Sequence, residues 1–156
     1  MGHEGMSLQE RWAPANRCFG CGPANERGLR IRSFPEGDEV VCSWKAEPHH
    51  EAFDGFLNGG IVGALFDCHC NWAAVHHMIR QGGLDQAPCT VTAELHVFLK
   101  RPTPTREPVL LRARVAEATG TRAVVEGEMH AGGKVTATCR AVYVAVSEGH
   151  PAFHRW

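Results

Sequence analysis

The sequence predicts an α+β fold in which a curved antiparallel β-sheet wraps around one long central helix. Two strand-like runs precede, and four follow, a single helical stretch that is apolar on nearly all sides. The connections between the strands are short, which favours antiparallel neighbours. A helix without a polar face has to be covered all round, and a curved sheet can provide that cover.

The composition fits one domain and argues against a generic electrostatic partner. The chain has 156 residues, with 16 Lys and Arg against 17 Asp and Glu, so we expect no binding to the nucleic-acid backbone. No apolar run approaches the roughly 20 residues that span a membrane, and the first residues lack the apolar core of a secretion signal. The seven cysteines are odd in number and do not form a disulfide-rich scaffold, so we expect free thiols and a cytoplasmic protein.

The expected organisation is an irregular N-terminal segment (1–28), a folded domain (29–147) and a C-terminal tail (148–156). Pro and Gly punctuate the first segment, and no period of 2 or 3.6 survives there. From Leu29 the runs LRIRSF and EVVCSWKA predict a strand hairpin. Residues 46–57 predict a loop with a turn at Asp54-Gly55, in which Phe53 and Phe56 are candidates for covering a pocket.

The central helix is predicted from Gly59 to about Arg80, and Gly82-Gly83 is expected to end it. Four β-rich runs follow, separated by Pro102 to Pro108, Gly120 and Gly132-Gly133: CTVTAELHVFLK, PVLLRARVAEA, TRAVVEGEMHA and KVTATCRAVYVAV.

Asp67 is the anomaly of this pattern, since it stands in the otherwise apolar run NGGIVGALFD. An unpaired charge away from water costs several kcal/mol, so the residue has either a satisfying partner and no further task, or a chemical role. Asn58 is a preferred helix cap, which alone would explain it; the alternative is that its amide also touches a substrate or orients a water.

Four segments together resemble the hotdog-fold acyl-CoA thioesterases, in the branch related to the phenylacetic-acid-pathway enzymes. They are NGGIVGALFD, CFGCGPANERGL, TAELHVFLKRPTP and GKVTATCRAVYVAV. The family has His-Gly-Gly and then an Asp nine positions after the His; here Asn58 replaces the His, and Cys68-His69-Cys70 follows Asp67 where many members have Glu-Ala.

The resemblance implies hydrolysis of a small or medium acyl-CoA or aryl-CoA to the free acid and CoA. Asp67 would act as general base or nucleophile, and the Gly59 amide would polarise the thioester carbonyl. No cofactor is implied beyond the coenzyme A of the substrate. Hotdog proteins also pair as dimers, which stack into tetramers.

The spacing of these two groups carries its own prediction. Glycines at a helix N-terminus let a ligand approach unpaired N–H groups, which is the chemistry an emerging oxyanion needs. Gly59 and Asp67 are eight residues apart, which is roughly 12 Å along one helix. One chain therefore cannot assemble the site, and we predict a homodimer with the site shared between two subunits.

Several further residues are candidates for the substrate site, and some of them have an ordinary structural interpretation as well. Gly60 and Phe56 are expected at the substrate site, while Trp72 either lines an acyl or aryl pocket or packs in the core. His96 is a candidate partner for Asp67, and His69 is expected in the core or interface. Lys100 and Arg101 either hold CoA phosphates or form an ordinary solvated strand end.

We expect no metal site, although Cys18 and Cys21 form a CxxC, because Cys68 and Cys70 should point to nearly opposite faces of the helix. Two other functions stay open. A hotdog dehydratase is disfavoured, because His49 or His50 with Asp67 does not reproduce that spacing. A non-catalytic acyl-CoA-binding or regulatory protein is the stronger alternative.

Overall fold

The structure is a computed structural model that describes residues 3–156. Six antiparallel strands form one sheet in the order β1-β2-β6-β7-β8-β5, and β3 and β4 form a separate small hairpin. The strands are β1 (Phe34–Glu36), β2 (Glu39–Trp44), β3 (Glu51–Phe53), β4 (Phe56–Leu57), β5 (Thr90–Leu99), β6 (Val109–Ala118), β7 (Arg122–Ala131) and β8 (Lys134–Ala145). The helices are α1 (Leu8–Trp12) and α2 (Gly59–Gly82), with a 3-10 turn at Pro48–His50. The predicted α+β class is confirmed.

Helix α2 is the centre of the molecule and ends as the sequence predicts. Asn58 is its N-cap, and Gly83 closes it in the left-handed conformation with φ 58°. Its side chains pack against β2 and β5 to β8, and the largest fully buried ones are Trp72, Phe66 and Leu65. Within residues 3–156, neither helix has the length and apolar character that crossing a membrane requires.

Strand β5 lies at one edge of the large sheet and contains a β-bulge. Thr92 pairs with Tyr143 of β8, whereas Glu94 pairs with the preceding residue Val142, so Ala93 is an extra residue in the ladder. Side chains alternate between the two faces of a strand, and one extra residue reverses the faces of everything after it. Thr92 therefore shares the helix side of the sheet with Leu95, and Glu94 lies on the outer side.

Three segments differ from the expectation. The predicted strand from Leu29 is reduced to β1, and residues 29–33 instead run as an extended segment interrupted by Arg30, with φ 57°. The loop expected over residues 46–57 contains the β3–β4 hairpin, with Asp54-Gly55 at its turn. The segment 1–28 is not wholly irregular, because α1 begins at a capping box formed by Ser7 and Glu10.

A fully buried network of hydrogen bonds holds α1 and residues 29–33 against α2. Ser33 Oγ accepts a hydrogen bond from Gln9 Nε2 (3.0 Å) and lies 2.9 Å from His69 Nδ1. His69 Nε2 is 3.0 Å from the carbonyl oxygen of Val40, which can only accept, so the imidazole carries its proton on Nε2 and Ser33 donates to Nδ1. Each polar group of this network thus has a hydrogen-bond partner. Burial lowers the pKa of His69 to about 4.

Replacing Ser33 with Ala should lower the free energy of unfolding by about 1–3 kcal/mol, because it leaves Gln9 and His69 buried without their shared partner. Urea unfolding measures this change. Ser43→Ala, an exposed serine on β2, is the matched control and should change stability by less than about 0.5 kcal/mol. Equal losses in the free energy of unfolding for the two variants would contradict a stabilising role for the buried network.

Candidate active site

The N-terminus of α2 presents one backbone donor that its cap leaves free. Asn58 Oδ1 accepts hydrogen bonds from the N–H groups of Gly60 (2.8 Å) and Ile61 (3.3 Å), and the Val62 N–H reaches the Asn58 carbonyl (3.1 Å). Within residues 3–156 no acceptor is found for the Gly59 N–H. Asn58 therefore works as the helix cap. The Gly60 N–H, which was predicted at the substrate site, already donates to Asn58 Oδ1.

Gly59 is exposed and lies beside the end of β5. A Cβ at this position would lie 3.2 Å from Leu99 Cδ1, so the backbone of Gly59 approaches the strand closely. The free N–H is also at the positive end of the helix dipole. This amide is suited to donate a hydrogen bond to a carbonyl oxygen on which negative charge develops.

Asp67 is half-buried and held by two hydroxyl groups. Thr92 Oγ1 donates to Asp67 Oδ1 (2.7 Å), and Tyr143 OH donates to the Asp67 carbonyl oxygen (2.9 Å) and lies 3.5 Å from Oδ1. Burial raises the pKa of Asp67 above its ordinary value, and the hydrogen bond from Thr92 opposes this rise. Both side-chain contacts use Oδ1, which leaves Oδ2 for a water molecule or a substrate.

Gly59 and Asp67 lie on a strip of α2 that the chain does not cover completely. Gly59 is exposed and Asp67 is half-buried, although His69 and Cys70, two and three residues after Asp67, are fully buried. The neighbouring edge strand exposes apolar side chains: Leu95 is 38% and Leu99 59% exposed. The strip and this edge form one continuous open surface with apolar character.

His96, the candidate partner for Asp67, does not contact it within the described residues. The bulge at Ala93 places His96 opposite Arg140 on the outer side of the sheet, where its nearest acidic neighbour is Glu94 at 3.4 Å. Thr92 and Tyr143 take the expected place. Thr92 has a weak sequence signal, as a polar residue in the β5 run, and Tyr143 has none, because it is 76 residues from Asp67.

Trp72 belongs to the core of this chain. It is fully buried, its Nε1 donates to Cys21 Sγ (3.3 Å), and its ring lies 5.3 Å from that of Trp156. Of the two interpretations of Trp72, core packing is the one found within this chain.

A cationic groove adjoins the start of α2. Its cavity of about 520 Å³ has Phe56 on its lining together with three basic side chains, Arg101, Arg106 and Lys134. Asp54 is the one acidic residue among the described residues that line it. Arg101 thus lies where an anion can bind, whereas Lys100 is exposed outside this lining.

Cys68 and Cys70 lie on different sides of α2, as predicted, but Cys68 joins a group of cysteines that was not predicted. Cys70 packs beside Cys139 and Gly127, on a different side of α2 from Cys68. Cys68 instead meets Cys18 and Cys21, and the three Sγ atoms lie within 4.8 Å of one another. The expectation of no metal site considered Cys68 only with Cys70, and so overlooked this group.

A sheet that curves around one long helix, with a glycine pair at the helix start and a carboxylate eight residues on, defines the hotdog class of thioester-processing proteins. The model of the Thioesterase superfamily matches residues 54–144. The chain therefore belongs to the Thioesterase superfamily.

Solved structures agree with this assignment. A Thioesterase superfamily protein of Shewanella loihica PV-4 is 25% identical, with a TM-score of 0.63 over 80% of this chain and 98% of that one. A phenylacetic acid degradation-related protein of Ralstonia eutropha JMP134 is 20% identical, with a TM-score of 0.65 over 81% of this chain and 92% of that one.

The PaaI protein from the E. coli phenylacetic acid degradation operon is 16% identical, with a TM-score of 0.63 over 76% of this chain and 81% of that one. The last two similarities show the fold. Among curated proteins, no significant match is found.

Asn58→Ala should lower the free energy of unfolding by about 1 kcal/mol, because two N–H groups lose their acceptor, whereas Asn58→Ser should restore most of it. Urea unfolding of both variants measures the difference. Unchanged stability of Asn58→Ala contradicts the capping role.

Proposed function

We propose that the protein hydrolyses the thioester of a small or medium acyl-CoA or aryl-CoA, at a site shared between two subunits. One observation carries this proposal: a free helix N-terminal amide and a half-buried carboxylate lie on the same uncovered strip of α2, too far apart to serve one carbonyl within a chain. Membership of the Thioesterase superfamily supports the reaction class.

The two groups divide the chemistry of the reaction. The Gly59 N–H of one subunit donates to the thioester oxygen as the carbonyl becomes tetrahedral and negative. Asp67 of the other subunit acts at the carbonyl carbon. As general base it takes a proton from water on Oδ2 while the hydroxide oxygen bonds to carbon; as nucleophile Oδ2 itself forms the bond and water then cleaves the anhydride. In both cases the C–S bond breaks and CoA leaves as the thiolate.

Thr92 is well placed to hold the carboxylate for this work. Its hydroxyl binds Oδ1 and limits the rotation of the Asp67 side chain, which positions Oδ2 before substrate arrives. Tyr143 ties the backbone of the same residue to β8. The helix and the sheet therefore fix the reactive oxygen jointly.

A second copy of the chain is the partner that the open surface requires. Antiparallel contact between two α2 helices brings Asp67 of each copy toward Gly59 of the other, and two-fold symmetry makes both sites equivalent. The unpaired edge of β5 and the exposed side chains of Leu95 and Leu99 would be covered in the same contact. Stacking of such dimers into tetramers and a cytoplasmic location complete the proposal.

The cationic groove suits the anionic end of coenzyme A. Arg101, Arg106 and Lys134 offer charge-assisted hydrogen bonds to phosphates, and the groove begins next to Phe56, two residues before the helix cap. The acyl end of a bound thioester can thus approach Gly59 while the nucleotide stays in the groove.

Two inactive variants should restore activity when they share a dimer. Asp67→Asn keeps an acceptor for Thr92 but should lower kcat by roughly 10²–10⁴. Gly59→Pro deletes the donor and should lower kcat by roughly 10²–10³. Proline is tolerated at the first helical position, and Asn58 already has the extended conformation that precedes proline (φ −62°, ψ 134°).

Coexpression of the two variants at equal levels should recover about a quarter of wild-type turnover, because half of the dimers are mixed and each mixed dimer has one intact site. Asp85→Asn, in an exposed loop, is the control and should stay active. No recovery from two folded dimeric variants contradicts the shared site. Binding of CoA thioesters by the wild type without turnover, across a panel of acyl and aryl groups, supports the non-catalytic alternative instead.

Arg106→Ala and Lys134→Ala should raise KM for an acyl-CoA about ten-fold each and leave kcat nearly unchanged, since each removes a charge from the groove and none from the reacting atoms. With the matching N-acetylcysteamine thioester, which has no nucleotide, the variants and the wild type should have equal KM. Arg114→Ala, an exposed cation paired with Glu126, is the control. Equal losses with both substrates contradict phosphate binding in the groove.

A further inference from the structure

Three cysteines from distant parts of the chain converge at the surface of α2. Cys18 and Cys21 lie in the N-terminal segment, and Cys68 lies on the helix, 50 residues from Cys18. The Sγ atoms of Cys18 and Cys68 are 3.8 Å apart, and all three lie within 4.8 Å of one another. Cys21 is buried, and the other two are partly buried.

We propose that Cys18, Cys21 and Cys68 bind a thiophilic divalent metal ion of the zinc class, at a site separate from the thioester site. Zinc binds thiolates at about 2.3 Å in tetrahedral geometry, which places two sulfur ligands roughly 3.8 Å apart. The separation of Cys18 and Cys68 has this value. The x2 spacing of Cys18 and Cys21 is also the usual spacing of a zinc-binding pair.

The surrounding backbone is shaped to keep the sulfurs together. A Cβ on Gly20 would lie 2.3 Å from Cys68 Sγ, and a Cβ on Gly22 would lie 2.4 Å from the Cys18 nitrogen, so both positions admit only glycine without movement. The Gly22 N–H donates to the Cys18 carbonyl (2.9 Å), which closes a tight turn around the pair. This turn holds the sulfur of Cys68 against the backbone of the loop.

A donor outside the sulfur group matches a metal thiolate site. The Trp72 Nε1–H donates to Cys21 Sγ (3.3 Å). Such N–H donors orient sulfur ligands and offset their charge. Among residues 3–156 no fourth His, Cys, Asp or Glu joins the group, so a water molecule would be the fourth ligand of a bound ion.

A metal ion accounts for all three sulfurs, whereas a disulfide between any two leaves the third unused. It would also fasten the segment that carries Cys18 and Cys21 to α2 one residue from Asp67. Metal binding at this place therefore contributes to folding stability as well as to the local order of the helix.

Cobalt provides the direct test, because thiolate-bound Co²⁺ has charge-transfer absorption in the near ultraviolet and intense visible bands when tetrahedral. The full-length protein, reduced and freed of metal by a chelator, is titrated with CoCl₂ and then with ZnCl₂. We expect saturation at about one ion per chain, displacement by zinc, and a melting temperature that rises on metal addition.

Cys18→Ser and Cys68→Ala should lose both the absorption and the shift in melting temperature. Cys139→Ala is the matched control, because it removes a buried thiol on the other side of α2 and should keep both. Wild-type protein without thiolate charge-transfer bands overturns the proposal, whatever the folding of the variants. So does a Cys18 found in a disulfide by mass spectrometry of the unreduced protein.

Discussion

The structure depends on one constraint, which is that the apolar middle of helix α2 has to be covered. Trp72, Phe66 and Leu65 are fully buried, whereas His76 and His77 are partly exposed and Arg80 is exposed. The curved sheet covers one part of this surface. The N-terminal segment covers another, with Ile31 and Cys21 in the same core as the sheet residues.

At the start of α2 this cover is incomplete, and the candidate reactive groups Gly59 and Asp67 lie there. A helix N-terminus exposes N–H groups by construction, and the cap at Asn58 satisfies Gly60 and Ile61 but not Gly59. A carboxylate in the middle of an apolar helix is costly unless it is held, and Thr92 and Tyr143 hold Asp67. The same lack of cover leaves both groups accessible to the substrate that we propose.

Local sequence signals predicted the local parts of this structure. The Asn58 cap, the glycines after Gln81 and the apolar run between them defined α2, and alternation with turn residues defined β5 to β8. The anomaly of Asp67 identified the candidate site. The capping box of Ser7 and Glu10 was also readable, since Ser-x-x-Glu before a helix is a local signature that the N-terminal segment contains.

Other features depend on long-range contacts, which no local pattern encodes. Nothing in TVTAELHV shows that Ala93 forms a bulge, so alternation alone placed His96 beside the helix. Tyr143 reaches Asp67, and Cys18 reaches Cys68, only because the chain folds back over many residues. Strands and helix ends can be recognised from a few neighbouring residues, whereas these long-range contacts exist only in the assembled fold.

The position of β8 in the sheet has a consequence for synthesis of the chain. This last strand lies between β7 and β5, so β5 has no partner on the sheet until residues near the end of the chain are available. Until residues 134–145 have been made, β5 therefore lacks the strand that joins it to β7, and its apolar side and the part of α2 that packs against β8 stay exposed. The fold thus closes at β5 only after β8 has been synthesised.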